Sequence, residues 1–319
     1  MGGSFDQAVA VAEQATEALA QIGDELGLAR AWNLVALTRF WLGSTAVAEE
    51  AWRSALEHAR RARSSSEEAQ ARSWLLVGSW IGPAPIEDAI LRCLEALSAS
   101  PTRQVEAMAL LEQGPLLAMR GDFAEAREMF GRGKEMLQDL GLAIAVAGAS
   151  QECFDIEMLA GDPVAAEAEL RGACTILERL GEKGFLSTRA ALLAHALCAQ
   201  GRYDEAERFI EVAAEAGAAD DRATQTLWRS ARAKVTAAQG DFEAAERLVR
   251  EAVEIVESTD WLNIRGDALV DLADVLRLAG RRAQARAALE EAIHLFDQKG
   301  NVVAGQRARV TLGELQAKR

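Results

Sequence analysis

The sequence is poor in the residues that build strands, tight turns and most catalytic centres. Five prolines occur in 319 residues, and clusters of Val, Ile and Thr are scarce beside abundant Ala, Leu, Glu and Arg. Intrinsic propensity therefore favours helix almost throughout, and no alternating β-branched run marks a strand. No apolar run of about 18 residues and no signal peptide is present, so a membrane span is not expected. Four cysteines, Cys93, Cys153, Cys174 and Cys198, show no C-x-x-C spacing. They read as small buried hydrophobes in a reducing, cytoplasmic setting rather than as a zinc or redox site.

Histidine is rarer still. His58, His195 and His294 lie far apart, with no H-E-x-x-H and no near neighbour to complete a metal site. Gly131-Arg132-Gly133-Lys134 has the look of a phosphate loop, but Glu128 stands where the earlier glycine is required and Glu135 follows the lysine. It also falls in the middle of an expected helix. Carboxylates are plentiful, yet most sit among interleaved charges on expected solvent faces. No catalytic residue, metal or cofactor is expected, and the chain reads as a non-enzyme.

A surplus of positive charge is also missing. The formal net charge is −14 and the isoelectric point about 4.9. Binding to nucleic acid or to an anionic membrane requires clustered Lys and Arg and is not expected. The best basic run, His58 to Arg63, ends a helix, where cations complement the helix dipole.

What the chain does contain is a repeat. A G-[DR]-[FY]-x-x-A turn recurs in whole or in part at Gly121, Gly161, Gly201, Gly240 and Gly280, at intervals of 40, 40, 39 and 40 residues. The register extends backward to Gly43, to an irregular turn from Gly82 through Pro83 and Pro85, and to Gly3. An alanine follows five residues after most of these glycines (Ala48, Ala126, Ala166, Ala206, Ala245, Ala285), with Ala8 and Ala89 as outer members. Seven residues on comes a second small column, Ala15, Ala55, Ala96, Gly133, Ala173, Ala213, Ala252 and Ala292. Larger apolar residues lie between, such as Trp52, Cys93, Phe130, Leu170, Ile210, Val249 and Leu289, with Ala12 the weak member. Spacings of four and three put all three columns on one helical face, where small residues let a neighbouring helix approach closely. Asp122, Asp162 and Asp241 are suited to cap these helices, and Pro163 to open one.

Each repeat is thus a helix pair: a helix B after the turn glycine and a helix A returning to the next turn. A lone pair cannot bury its apolar faces, so successive pairs must stack. The expected architecture is all-α: one right-handed superhelical solenoid of about eight helix-turn-helix repeats over residues 1–319. Its turns lie near 3, 43, 82, 121, 161, 201, 240 and 280. A capping helix over 302–317 has an outer face solvated by Arg307, Arg309, Glu314 and Lys318. Pro115, inside a helix A, removes a backbone donor and predicts a kink, making 80–120 the least regular stretch.

Gly121-Asp122-Phe123-Ala124-Glu125-Ala126 and Gly201-Arg202-Tyr203-Asp204-Glu205-Ala206 resemble the turn of the tetratricopeptide repeat (TPR) family. The family's small helix A position is met by Ala36, Gly114, Ala194, Ala233, Ala273 and Gly313 and fails at Phe154, where packing must differ. The period is nearer 40 than the family's 34, and the usual proline ending helix B is missing. That long variant resembles TPR regions of bacterial MalT-type transcription activators and of cyclase or ATPase proteins with TPR tails.

The resemblance implies a non-catalytic interaction scaffold or the regulatory TPR segment of a larger signalling or transcription regulator. Its partner would be a protein or peptide held in the concave groove, with self-association a further mode. The alternative is a small-molecule effector sensor of the MalT type. In TPR proteins helix A lines the groove, which gives Asn33, Trp74, Glu112, Gln151, Asp155, His195, Lys234, Asp271 and Asp274 as lining candidates. That acidic set suits a basic or mixed-charge peptide. Five of seven tryptophans, Trp32, Trp41, Trp52, Trp74 and Trp80, precede residue 81, either filling gaps between helices or forming a recognition patch.

Overall fold

The structure is a computed structural model that describes residues 4–99 and 101–317, all of whose regular elements are helices. Gly3 and Lys318 lie outside the described residues. The B helices are α1 (Phe5–Ile22), α3 (Thr45–Arg61), α5 (Ile86–Ser98), α7 (Phe123–Asp139), α10 (Pro163–Leu180), α12 (Tyr203–Ala216), α14 (Phe242–Glu257) and α16 (Arg282–Lys299). Between them run the A helices: α2 (Glu25–Trp41), α4 (Ser65–Ile81), α6 (Arg103–Arg120), α8 (Ala143–Gly148) with α9 (Ser150–Ala160), α11 (Lys183–Ala199), α13 (Arg222–Ala238) and α15 (Leu262–Leu278), followed by α17 (Val302–Ala317).

The turn glycines work through their backbone. At Gly121, φ is 99°, its N–H donates to Ala118 O, and Asp122 N–H reaches back to Leu117 O. This left-handed stop satisfies carbonyls that would otherwise be orphaned at the end of α6. The next helix begins at once. Asp162 and Asp241 accept from Ala165 N and Ala244 N, each at 3.0 Å, and Pro163 opens α10. Asp122 makes no such cap, because its carboxylate pairs with Arg120 Nε at 3.2 Å.

The small columns are packing positions. Ala48, Ala89, Ala126, Ala166, Ala206, Ala245 and Ala285 are wholly buried, as are Trp52, Leu170, Ile210 and Val249 one turn on. Burying a side chain of Leu or Val size contributes about 1.5–3 kcal/mol, and repetition along the stack makes this the main stabilising term. Helix α1 departs, turning Val9, Ala12 and Thr16 inward instead of Ala8 and Ala15, and Ala96 on α5 and Phe130 on α7 are only half-buried. Helix α6 runs without interruption through Pro115. The helix A that carries Phe154 is the one split in two, at Ala149.

The solenoid winds past a full turn and rests on itself. Asp220 accepts from Ser4 Oγ and Phe5 N, both at 2.6 Å, at a separation of 216 and 215 residues. One repeat on, the Asp260 carboxylate takes Thr45 N and Ala46 N, Asp260 N donates to Gly43 O, and Trp261 Nε1 donates to Thr45 Oγ1 at 2.8 Å. Another repeat on, the buried Lys299 Nζ donates to Ser79 O, Gly82 O and Ala84 O at 3.2, 2.7 and 2.7 Å. The recurring offset of 214–220 residues corresponds to about five and a half repeats per turn. Approach is tight: at Gly43 (φ 82°) an added Cβ would lie 2.2 Å from Thr259. The last helix joins this contact too. Arg307, expected to solvate an uncovered face, instead donates to Met158 O and Leu159 O at the end of α9, while Arg309 pairs with Asp297.

Candidate functional site

Because the coils meet, the inner faces of the A helices enclose a lumen rather than an open groove. Phe40 sits at the centre of an aromatic cluster, 5.8 Å from Trp52, 5.8 Å from Trp74 and 6.1 Å from Trp261 in the other coil. Trp52 and Trp74 stack at 11°. Trp41 on α2 reaches Phe185 on α11 at 6.4 Å, so walls distant in sequence touch across the interior. The early tryptophans therefore do two jobs. Trp52 is a wholly buried filler, and Trp41, Trp74 and Trp80 line the lumen.

Two adjoining chambers result. The larger, about 640 Å³, is walled by Trp41, Trp74, Trp261, Phe185, Leu142, Ile144 and Met108, with Gln151, Glu152 and Arg189 as its polar edge. That volume lies in the range of pockets for small molecules and short peptide segments. The smaller chamber, about 70 Å³, shares Trp80, Ile81, Gln151 and Ile264 with the first and adds Asp155, His195, Asp267 and Asp271.

Arg189 is held at the break between α8 and α9. Its Nη2 donates to Gly148 O at 2.6 Å, its Nη1 to Gln151 Oε1 at 2.9 Å, and its guanidinium lies over the Phe185 ring at 5.2 Å. Burial pushes its pKa down, and its Nε has no partner. Facing it are acids whose ionisation burial disfavours. Burial, reinforced by the Glu152 charge and by a hydrogen bond shared with it, pushes Glu112 well above the ordinary carboxyl value, and its oxygens have no other donor. Burial raises Glu152 to about 7 despite Arg189, and lifts Asp155 well up with help from Asp267. Asp267, accessible to water yet surrounded by protein, is also raised by burial and by Asp271, to about 7. In the second chamber a relay is fixed: Lys234 Nζ pairs with Asp271 at 2.7 Å and donates to His195 Nδ1 at 3.1 Å. His195 Nε2 in turn donates to Leu227 O at 2.9 Å. Burial, with Lys234 beside it, lowers His195 to about 3, so its ring is neutral.

Of the residues picked from sequence, Trp74, Gln151, Asp155, His195 and Asp271 line the chambers, with Lys234 bound behind Asp271. Glu112 is buried behind Glu152, and Asn33 lies between helices, with Nδ2 3.5 Å from Glu67. Asp274 points away to pair with Arg277. Sequence reasoning missed Arg189, Glu152, Asp267, Phe185 and Trp261. A lone arginine heading the apolar run Ala190 to Cys198 was the available signal. The basic run is spent on neighbours: His58 Nδ1 lies 2.6 Å from Glu25, and Arg60 and Arg61 pair with Glu68 and Glu57. Among the described residues no group of three or more His, Cys, Asp or Glu converges to hold a metal ion, and no helix is long and apolar enough to cross a membrane.

The fold is a TPR-like helical repeat. Among solved structures it is similar to NprR in complex with its cognate peptide NprX, with a TM-score of 0.56 and 13% identity over 79% of this chain and 71% of that one. It is also similar to a Rap protein complexed with competence and sporulation factor, with a TM-score of 0.52 and 14% identity over 92% of this chain and 76% of that one. At such identities the likeness is one of fold alone. No protein-family model matches the sequence, and no curated protein matches it.

Proposed function

We propose that this protein is a non-catalytic, cytoplasmic binding scaffold that receives a peptide or partner segment in its lumen and serves a regulatory role. The observation that carries this reading is the 640 Å³ chamber, lined by aromatic faces from both coils and bordered by a few placed polar groups. NprR, similar in fold, is seen in complex with its cognate peptide, and a Rap protein with competence and sporulation factor, which supports a bound partner of this kind here. Four buried free thiols suit a reducing compartment. A small-molecule effector is the second reading, favoured by the size of the chamber.

The test is a melting-temperature screen of short apolar peptides and metabolites, followed by titration of any that stabilise the protein. Ile144, half-exposed on the chamber wall, is the position to block. Wild-type protein is expected to show a dose-dependent rise that Ile144→Trp abolishes while keeping its own melting temperature. Ligands that stabilise both proteins equally would sink the lumen as the seat.

A further inference from the structure

The lumen pairs a large aromatic surface with a surplus of carboxyl groups. Four acids line the two chambers, Glu152, Asp155, Asp267 and Asp271, against one lining cation, Arg189. Asp271 is matched by Lys234 from behind. The Arg189 guanidinium makes no ion pair; its bonds go to Gly148 O and Gln151 Oε1 and its face to Phe185. At most one further carboxylate is balanced by it. Glu152 is almost wholly buried on the chamber wall, and the only side chain that Glu112 behind it can share a proton with is Glu152 itself. Asp155 is half-buried and Asp267 open to water, so both present their carboxyls to the lumen. An unpaired buried acceptor costs about 1–3 kcal/mol, so the Glu112–Glu152 pair, with one proton to share and no other donor, is completed by a group that brings positive charge to it.

We infer that the occupant of the lumen is a hydrophobic cation, an apolar body carrying one positive charge. This rests on the reading of the lumen as the ligand seat. The body packs on Trp41, Trp74 and Trp261, whose ring faces attract a cation. The charge lies toward Glu152 and Asp155, where an anion would meet repulsion. With no cation beside them, burial leaves Glu152 and Asp267 partly protonated near pH 7. Glu152 faces Glu112 from α6, Asp155 on its own helix and Arg189 from α11. Asp267 faces Asp271 on its own helix, Lys234 from α13 and Asp155 from α9. An arriving cation favours the carboxylate, so a proton leaves to solvent as the cation enters, and charge balances. Affinity therefore rises as pH increases from 6 to 8.

Tetraphenylphosphonium and tetraphenylborate have the same shape and opposite charge, and both suit a chamber of this size. Titrations of the full chain, read by tryptophan quenching and by calorimetry in two buffers, separate the outcomes. The phosphonium is expected to bind at least ten-fold more tightly than the borate, with buffer-dependent heat from the released proton. Glu152→Gln and Asp267→Asn should each weaken it several-fold and flatten the pH dependence. A second pair, the tripeptide Phe-Leu-Phe amide with a free or an acetylated N-terminus, tells whether the charge is supplied by a peptide amine or by a small organic cation. Borate binding as tightly as phosphonium would overturn the charge inference and leave the lumen as a seat. Failure of both ions to bind wild-type protein would overturn both readings.

Discussion

Arg63 shows how much one backbone angle matters. It holds φ at 54°, the left-handed conformation that glycine supplies at ten other turns. A Cβ there costs about 1–2 kcal/mol, and no partner of the side chain offsets it. Arg63→Gly is expected to raise stability by about 1 kcal/mol in urea unfolding, the gain trimmed by the extra freedom of glycine in the unfolded chain. Glu152 makes the residue-level case for charge. Its carboxyl holds its proton more tightly in the folded chain, about 7 against an ordinary 4.5. The stability it contributes is fully present below pH 4.5 and is lost as pH rises through 7. Glu152→Gln should match wild type below pH 4.5 and become more stable by on the order of 2 kcal/mol at pH 8, measured as the difference between two denaturation series. A difference that stays flat from pH 4 to 8 would show the carboxyl to be solvated.

At the scale of elements, close approach of helices decides what is tolerated. Gly133 on α7 faces the backbone of α6, and an added Cβ would lie 2.6 Å from Ala107 O and 2.8 Å from Leu111 N. Gly133→Val should cost about 1–3 kcal/mol by forcing these helices apart, visible as a lower urea midpoint with unchanged helical circular dichroism. This position was legible as a member of the second small column, and the turn glycines by their own recurrence, while the missing small residue at Phe154 marked a change of packing but not the split at Ala149. Local pattern suffices there, because each column reports contacts within one or two repeats. The wall of the lumen was less legible. A one-residue error in register turns a side chain by about 100°, enough to send Asp274 outward and Asp267 inward unseen. Arg189 was hidden for a different reason: it faces inward from the start of α11, outside the column used to place the lining.

The winding of the whole molecule was not legible at all. Asp220 and Asp260 recur 40 residues apart, but which helix each would cap depends on small rotations between repeats summed over half the chain. Lys299 carries the third of these contacts, and Lys299→Met would leave the Ser79, Gly82 and Ala84 carbonyls without a donor. A loss of about 3 kcal/mol is expected, with faster amide exchange in the first turns of α5, at the other end of the sequence from the substitution. Exchange changes confined to α16 would show that the coils are independent.

The stacking of one coil on the other also sets the tempo at which the chain can acquire its structure. An open solenoid is assembled from neighbours, and its folding rate reflects contacts a few tens of residues apart. Here three of the fastenings join residues more than 210 positions apart. They cannot form until nearly six repeats already stand, so the closing step bears a loop-closure penalty that no single repeat does. The last hundred residues thus finish work begun by the first, and a chain halted before Asp260 would present its aromatic interior to the solvent.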